Sequence, residues 1–273
     1  MSNITNLSLQ GMEKNKIREH IYQYYFAATH NDGANSIFVC LDETRHKALL
    51  IDTAYPKNAE PVKADLITMG YQPEIITLSH FHPDHTAGCS VFPGCPIYAS
   101  KFYEDNFFNC SRWEPRYQYI HPTRLLADGD FLAFGSFQLS FIFAPGHSKC
   151  SMLTLINNDL LHVGDLLMFN SEDKPTLPYI SMGGSFKEHQ TSLERIKHMA
   201  YNMTFNTLLV PHGHVLNGKE VIAEQIDDRL FYLEKMMATK GETPLTACLK
   251  NNLSCYANPE FHDNNLLQIM MET

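Results

Sequence analysis

The chain has 273 residues, 44% of them hydrophobic, which suits one large domain or two small ones with a full core. Its formal charge of −9 argues against a general nucleic-acid surface, which needs an excess of basic residues. No apolar run approaches the roughly 20 residues of a membrane span, so no membrane partner is expected.

Fourteen histidines stand out, because imidazole is the commonest metal ligand and titrates near neutral pH. The seven cysteines form no C-x-x-C pair, so reduced thiols and a cytoplasmic location are expected. Residues 1–9 are polar, and Lys14, Lys16 and Arg18 precede no long apolar run, so no secretory signal is expected.

In chain order, 36–41 and 47–52 read as two strands of a hairpin around the polar turn 42–46. Residues 58–69 have helical spacing through Val62, Leu66 and Met69, and stop at Gly70. The apolar run 74–78 reads as a buried strand, and 96–99 as another short one. A second half repeats the plan. Strands are expected at 131–134, 137–143, 152–156, 160–163 and 207–210, with helices at 190–203 and 219–239. Two groups of strands, each followed by helices, imply a layered α/β protein with sheets inside and helices outside. Two long stretches read as irregular. One is 101–121, with seven aromatic residues including Trp113. The other is 169–186, with Pro175, Pro178, Gly183 and Gly184. They are read either as lids and binding loops or as buried packing and a homodimer contact.

Four ligand-type side chains fall within six residues after the 74–78 strand: His80, His82, Asp84 and His85. In extended chain, residues i and i+2 share a side, so His80 and His82 can reach one ion. Past Pro83 the chain must turn, which lets Asp84 and His85 face a neighbouring one. Imidazole with carboxylate suits zinc, and also iron, manganese or cobalt. Three later strand ends carry His147 in Pro145-Gly146-His147, Asp165 in Gly164-Asp165, and His212 and His214 in Pro211-His212-Gly213-His214. Cys150 lies three residues after His147 and reads as a buried apolar thiol, not a nucleophile.

With these residues the chain resembles the metallo-β-lactamase-fold hydrolases, whose signature H-x-H-x-D-H stands here as His80, His82, Asp84 and His85. The resemblance runs through Asp52, Gly88, His147, Asp165 and His212 and covers about residues 35–218. It implies an αββα sandwich with two divalent metal ions at one edge, zinc in the first place, with iron or manganese as alternatives. His80, His82 and His147 would hold one ion, and Asp84, His85 and His212 the other. Asp165 would bridge them, and Asp52 would orient a ligand from behind. His214 is the alternative to His212. The catalytic domain would span 1–218, with a helical extension at 219–273 that packs on it or mediates dimerisation.

The function implied is a binuclear hydrolase in which a bridging hydroxide cleaves an ester, lactone or thioester of a small, partly apolar substrate. Asp84 and Asp165 would be its catalytic carboxylates, passing a proton to the leaving group, with His214 another candidate acid. Subgroup features point in different directions. Zinc β-lactamases with a Cys ligand carry it where Asp165 stands. Acyl-homoserine lactonases carry a Tyr where this chain has Met168, and Tyr179 is a candidate replacement. Hydroxyacylglutathione hydrolases carry a Gly/Cys/Arg segment where this chain reads Leu166-Leu167-Met168-Phe169-Asn170. The alternative functions are a phosphodiesterase or ribonuclease and a mononuclear-iron redox protein. Flavin-partnered redox relatives replace the second signature His, and here His82 is retained.

Overall fold

The computed structural model describes residues 11–28, 33–202 and 205–272. Seven strands form the first sheet in sequence order: β1 Met12–Arg18, β2 Ile21–Phe26, β3 Asn35–Asp42, β4 Lys47–Ile51, β5 Gln72–Thr77, β6 Ile97–Ser100 and β7 Arg124–Leu126. Six more form the second: β8 Phe131–Phe134, β9 Phe137–Phe143, β10 Met152–Ile156, β11 Leu160–His162, β12 Thr207–Leu209 and β13 Leu216–Asn217, in the order β13-β12-β11-β10-β9-β8. The helices are α1 Pro56–Thr68, α2 Pro83–Thr86, α3 Glu104–Trp113, α4 Phe186–Asn202, α5 Lys219–Thr239 and α6 Phe261–Glu272.

Strand alternation builds the layers. Along β3, Ile37, Val39 and Leu41 face a core shared with Ala59, Val62 and Leu66 of α1. Phe38 and Cys40 face the other way, into a core shared with Phe141, Met152 and Leu209 of the second sheet. The two faces of a strand alternate residue by residue, so a strand covered on both sides reads as an unbroken apolar run. On the far side of the second sheet, Leu153, Leu155, Leu161 and Leu208 pack against Leu193 and Ile196 of α4 and Ile222, Ile226 and Leu233 of α5. The order is helix, sheet, sheet, helix: the αββα sandwich.

Several expectations are corrected. The hairpin β1–β2 went unread, because Met12–Arg18 is charged and lies on the sheet edge, half exposed. The 101–121 stretch is irregular only in part: it holds α3, and several of its aromatic rings are packing. Phe107 stacks on His121 with ring centres 3.8 Å apart, and Tyr103 and Phe107 lie against Phe81. Helix α4 begins four residues before the expected 190, and Met203 lies outside the described residues, as does the polar stretch 1–9. Residues of the C-terminal segment also line the cleft described below. All seven cysteines are unpaired. Among the described residues no helix is long and apolar enough to cross a membrane.

Candidate metal centre

Parallel pairing of β4 with β5 and of β11 with β12 brings their carboxyl ends to one edge of the sandwich. Asp52 follows β4, Ser79 and His80 follow β5, Asp165 follows β11 and His212 follows β12. His147 follows the antiparallel strand β9. The turn before it needs Gly146: a Cβ there would lie 2.2 Å from the backbone of His189 on α4. Gly88 has the same role behind α2, where a Cβ would meet the Thr53 carbonyl oxygen at 2.2 Å.

The structure gathers all seven ligand-type residues named from the sequence into two adjoining groups. His80, His82, His147 and Asp165 form one, and Asp84, His85 and His212 the other. In the first, Nε2 of His80 and Nε2 of His147 each lie 3.0 Å from Nδ1 of His82. Oδ2 of Asp165 is 3.7 Å from His80 Nε2 and 3.5 Å from His147 Nε2. In the second, Oδ2 of Asp84 is 3.5 Å from His212 Nε2 and 3.9 Å from His85 Nε2. Oδ1 of Asp165 is 3.3 Å from both of those nitrogens. The Asp165 carboxylate therefore turns one oxygen to each group.

Hydrogen bonds from behind set the rings. Nδ1 of His147 donates to the Tyr179 carbonyl at 2.8 Å, and Nδ1 of His212 to the Ala34 carbonyl at 2.6 Å. Nδ1 of His85 donates to Asp52 Oδ2 at 2.8 Å. Asp52 also accepts from the Ser79 backbone N–H and hydroxyl, each at 2.7 Å, so the hydroxyl oxygen is left to accept from His80 Nδ1 at 3.0 Å. With Nδ1 committed, each of these four rings presents Nε2 to the interior. Asp52 holds its position at φ 59°, a left-handed value that costs a non-glycine residue energy.

Burial holds three of the rings neutral. The imidazole of His80 falls well below its usual range, and those of His82 and His147 fall to about 4 and about 3. The other two go the opposite way. Burial opposes their charge, but the carboxylates of Asp165 and Asp84 outweigh it. His85 rises well above the ordinary range and His212 rises to about 9. Burial likewise opposes the charge of Asp165, yet the charged rings of His212 and His85 keep it ionised.

The donor set suits divalent cations. Nε2 of His85 and Oδ1 of Asp165 are buried without a hydrogen bond of ordinary geometry. In the first group, the ring nitrogens of His80 and His147 converge on Nδ1 of His82 at 3.0 Å, and Nε2 of His82 is buried without a hydrogen-bond partner. Four ligands at zinc bond lengths stand about 3.3 Å apart at the corners of a tetrahedron. The observed separations bracket that value.

Of the other candidates, His214 stands outside both groups. Its Nδ1 pairs with Asp173 at 2.9 Å, its ring lies 4.2 Å from that of Tyr25, and it joins neither ligand group. Cys150 is buried, with its thiol pushed up to about 11, which agrees with a packing role. Sequence reasoning assigned no role to Ser79 or His162. His162 is fully buried, its Nε2 3.8 Å from Asp52 Oδ2. The signal was present in its position before Gly164-Asp165, but a lone histidine within a strand gives no direction. The carbonyls of Ala34 and Tyr179 carry no sequence signal at all.

The two groups lie at the base of a cleft of about 1180 Å³, lined by His82, Asp84, His147, Asp165 and His212. Trp113 and Glu114 enter from the end of α3. Phe169, Lys174 and Tyr179 come from the long 169–186 loop, and Tyr256, Asn258, Phe261, Asn264 and Gln268 from the C-terminal segment.

A family model described as the metallo-beta-lactamase superfamily matches residues 31–214, well over half of the chain. Among curated proteins, a hydroxyacylglutathione hydrolase of Gloeobacter violaceus is 32% identical over 118 residues, 42% of this chain and 41% of that protein. A protein of the same name from Francisella philomiragia is 29% identical over 136 residues, 46% of this chain and 48% of its own length. The chain thus spans less than half the length of these relatives. Among solved structures, a metallo-beta-lactamase from Pontibacter korlensis superposes with a TM-score of 0.66 at 17% identity, covering 82% of this chain and 99% of that one. A metallo-beta-lactamase family protein from Thermus thermophilus gives the same TM-score at 15% identity, covering 93% of this chain and 95% of its own. At such identities the structures speak for the fold alone. On its signature residues, its four layers and the extent of the family match, the chain belongs to the metallo-beta-lactamase superfamily.

Proposed function

We propose that the protein is a binuclear metal-dependent hydrolase of an ester, lactone or thioester bond in a small, partly apolar substrate. The observation that carries this reading is the Asp165 carboxylate, which offers one oxygen to each of two ligand groups at the floor of a cleft. His80, His82 and His147 would hold one ion, Asp84, His85 and His212 the second, and Asp165 both. Zinc fits the ligand chemistry, with iron or manganese as alternatives. When bound, two such ions lower the pKa of water toward neutrality and polarise a carbonyl oxygen.

The chain's own residues supply the rest. Neutral His80, His82 and His147 and ionised Asp165 are in their ligating states without any proton having to leave. Asp84 lines the cleft and retains partial exposure, so its carboxylate oxygens can carry a proton to the leaving group. Trp113, Phe169, Tyr179 and Phe261 offer apolar surface, and Asn258, Asn264 and Gln268 offer amides. Among the described residues lining the cleft, Lys174 is the one lysine or arginine, and it is paired with Glu172 at 3.1 Å. That lining favours a substrate without a phosphate or several carboxylates. The relatives' name supports thioesters as a substrate class, while the cleft supports a less charged thiol portion than glutathione.

The test is metal content of the purified protein, followed by hydrolysis of matched ester, lactone, thioester and phosphodiester panels. Two equivalents of metal and turnover confined to carbonyl substrates are expected. Turnover of phosphodiesters alone, or a protein that takes up no metal, would overturn the reading.

A further inference from the structure

Asn265 lies on α6, outside the segment that matches the family model, and its side chain is completely buried. Its amide grips one edge of the 178–180 backbone. Nδ2 donates to the Pro178 carbonyl at 2.7 Å, and Oδ1 accepts from the Ile180 N–H at 3.1 Å. The second Nδ2 hydrogen goes to the Tyr232 hydroxyl of α5 at 3.0 Å. Next to it, Nδ2 of Asn264 donates to the Ile180 carbonyl at 2.8 Å. The one carbonyl left between these contacts is that of Tyr179, and it accepts Nδ1–H of His147 at 2.8 Å. The loop meets His147 again through Ser181, whose N–H and hydroxyl donate to the His147 carbonyl at 2.9 and 2.6 Å.

We infer that Asn265 is a positioning residue for the metal centre: by clamping Pro178 and Ile180 it sets the Tyr179 carbonyl that orients His147. A buried primary amide satisfies a backbone N–H and a backbone C=O together, which no apolar side chain of similar size can do. The partner of a ligating imidazole's other nitrogen controls ring orientation and basicity, and its loss typically weakens metal binding about 10- to 100-fold. Here that partner is a loop carbonyl, a group with no side chain of its own to hold it. The C-terminal helix thereby becomes part of the metal site without contributing a ligand.

This inference rests on the reading of His147 as a ligand, and the experiment separates the two. Zinc dissociation constants are measured by competition with a chromophoric chelator, and visible spectra are recorded on the cobalt-substituted protein. The proteins are wild type, Asn265→Ala, Asn264→Ala and Ile269→Ala. Ile269 is buried on the same helix and packs into the core, so its variant loosens α6 while removing none of the hydrogen bonds to the 178–180 backbone. In Asn265→Ala one of the two ions is expected to bind about tenfold more weakly, with an altered cobalt spectrum. Asn264→Ala is expected to show a smaller change in the same direction, and Ile269→Ala none. Should Asn265→Ala fail to fold, the Asn264→Ala comparison decides. Affinity and spectrum unchanged in the asparagine variants, or an equal change in Ile269→Ala, would overturn the inference. If wild type binds no metal, the ligand reading of His147 fails instead.

Discussion

The carboxylate of Asp52 accepts the Nδ1 proton of His85 at 2.8 Å, with both side chains about 1% exposed. This pair fixes which His85 nitrogen faces the interior, and through Ser79 the same carboxylate reaches Nδ1 of His80. Asp52 thus stands behind both ligand groups at once. Asp52→Asn is expected to weaken binding of both ions about 10- to 100-fold. Chelator competition reads this directly, and unchanged affinities would remove Asp52 from the metal site.

Asp165 carries a different expectation, because its oxygens face the interior of both groups. Asp165→Asn keeps the shape and removes the charge. Metal content should fall to one equivalent or less, and hydrolysis by on the order of 100-fold or more. A variant that retained two equivalents and full turnover would end the two-ion reading.

Loading metal into the metal-free protein should release protons. His85 and His212 are held charged by Asp165 and Asp84, with His212 raised to about 9, so both carry a proton at pH 7. Those protons must leave for the rings to bind a cation. His80, His82 and His147 are already neutral and release none. Calorimetric titrations in buffers of different ionisation enthalpy count the protons. About two from these histidines are expected at pH 7, with the His212 share vanishing above about pH 9. Release that did not change with pH would contradict the assignment.

The same shifts predict how stability of the metal-free protein follows pH. His82, His147, His162 and His189 fall to between about 3 and 4 by burial. Between those values and the unfolded value of about 6.5, the unfolded chain binds more protons, so stability falls as pH drops through that window. His85 and His212 are raised, so their contribution is complete below about 6.5 and is lost as pH climbs, for His212 toward about 9. A stability maximum near pH 6.5 is expected in urea denaturation, with losses on both sides. A flat profile from pH 4 to 9 would show that these histidines titrate as they do in the unfolded chain.

Trp113 tests the cleft apart from the metals. Its ring lies 5.4 Å from that of His82, and it is partly exposed at the end of α3. Trp113→Ala should raise KM about tenfold for apolar substrates while leaving metal content unchanged. An unaltered KM across the ester and thioester panels would place the substrate elsewhere in the cleft.

Two things were legible in the residues themselves. The apolar runs of β3, β4 and β10 marked strands, and the fold explains why they are unbroken: a strand between a helix layer and a second sheet has no solvent side. His80, His82, Asp84 and His85 announced a ligand cluster, since four such groups after a buried strand have no packing role that would account for them. Other features needed the folded chain. The edge strand β1 is charged and half exposed, so its pattern is that of a loop until β2 pairs with it. His212 and His214 are equivalent in sequence, two residues apart. Only the fold turns one toward Asp165 and the other toward Asp173, because Gly213 between them takes φ 112° and breaks the extended alternation that would point both the same way. The Ala34 and Tyr179 carbonyls that set His212 and His147 belong to groups every residue carries, so no side-chain pattern marks them. The sequence alone determined which chemistry this edge of the sandwich can hold. The tertiary structure decided which side chains reach it and what steadies them from behind, because those contacts join residues 32 to 178 positions apart.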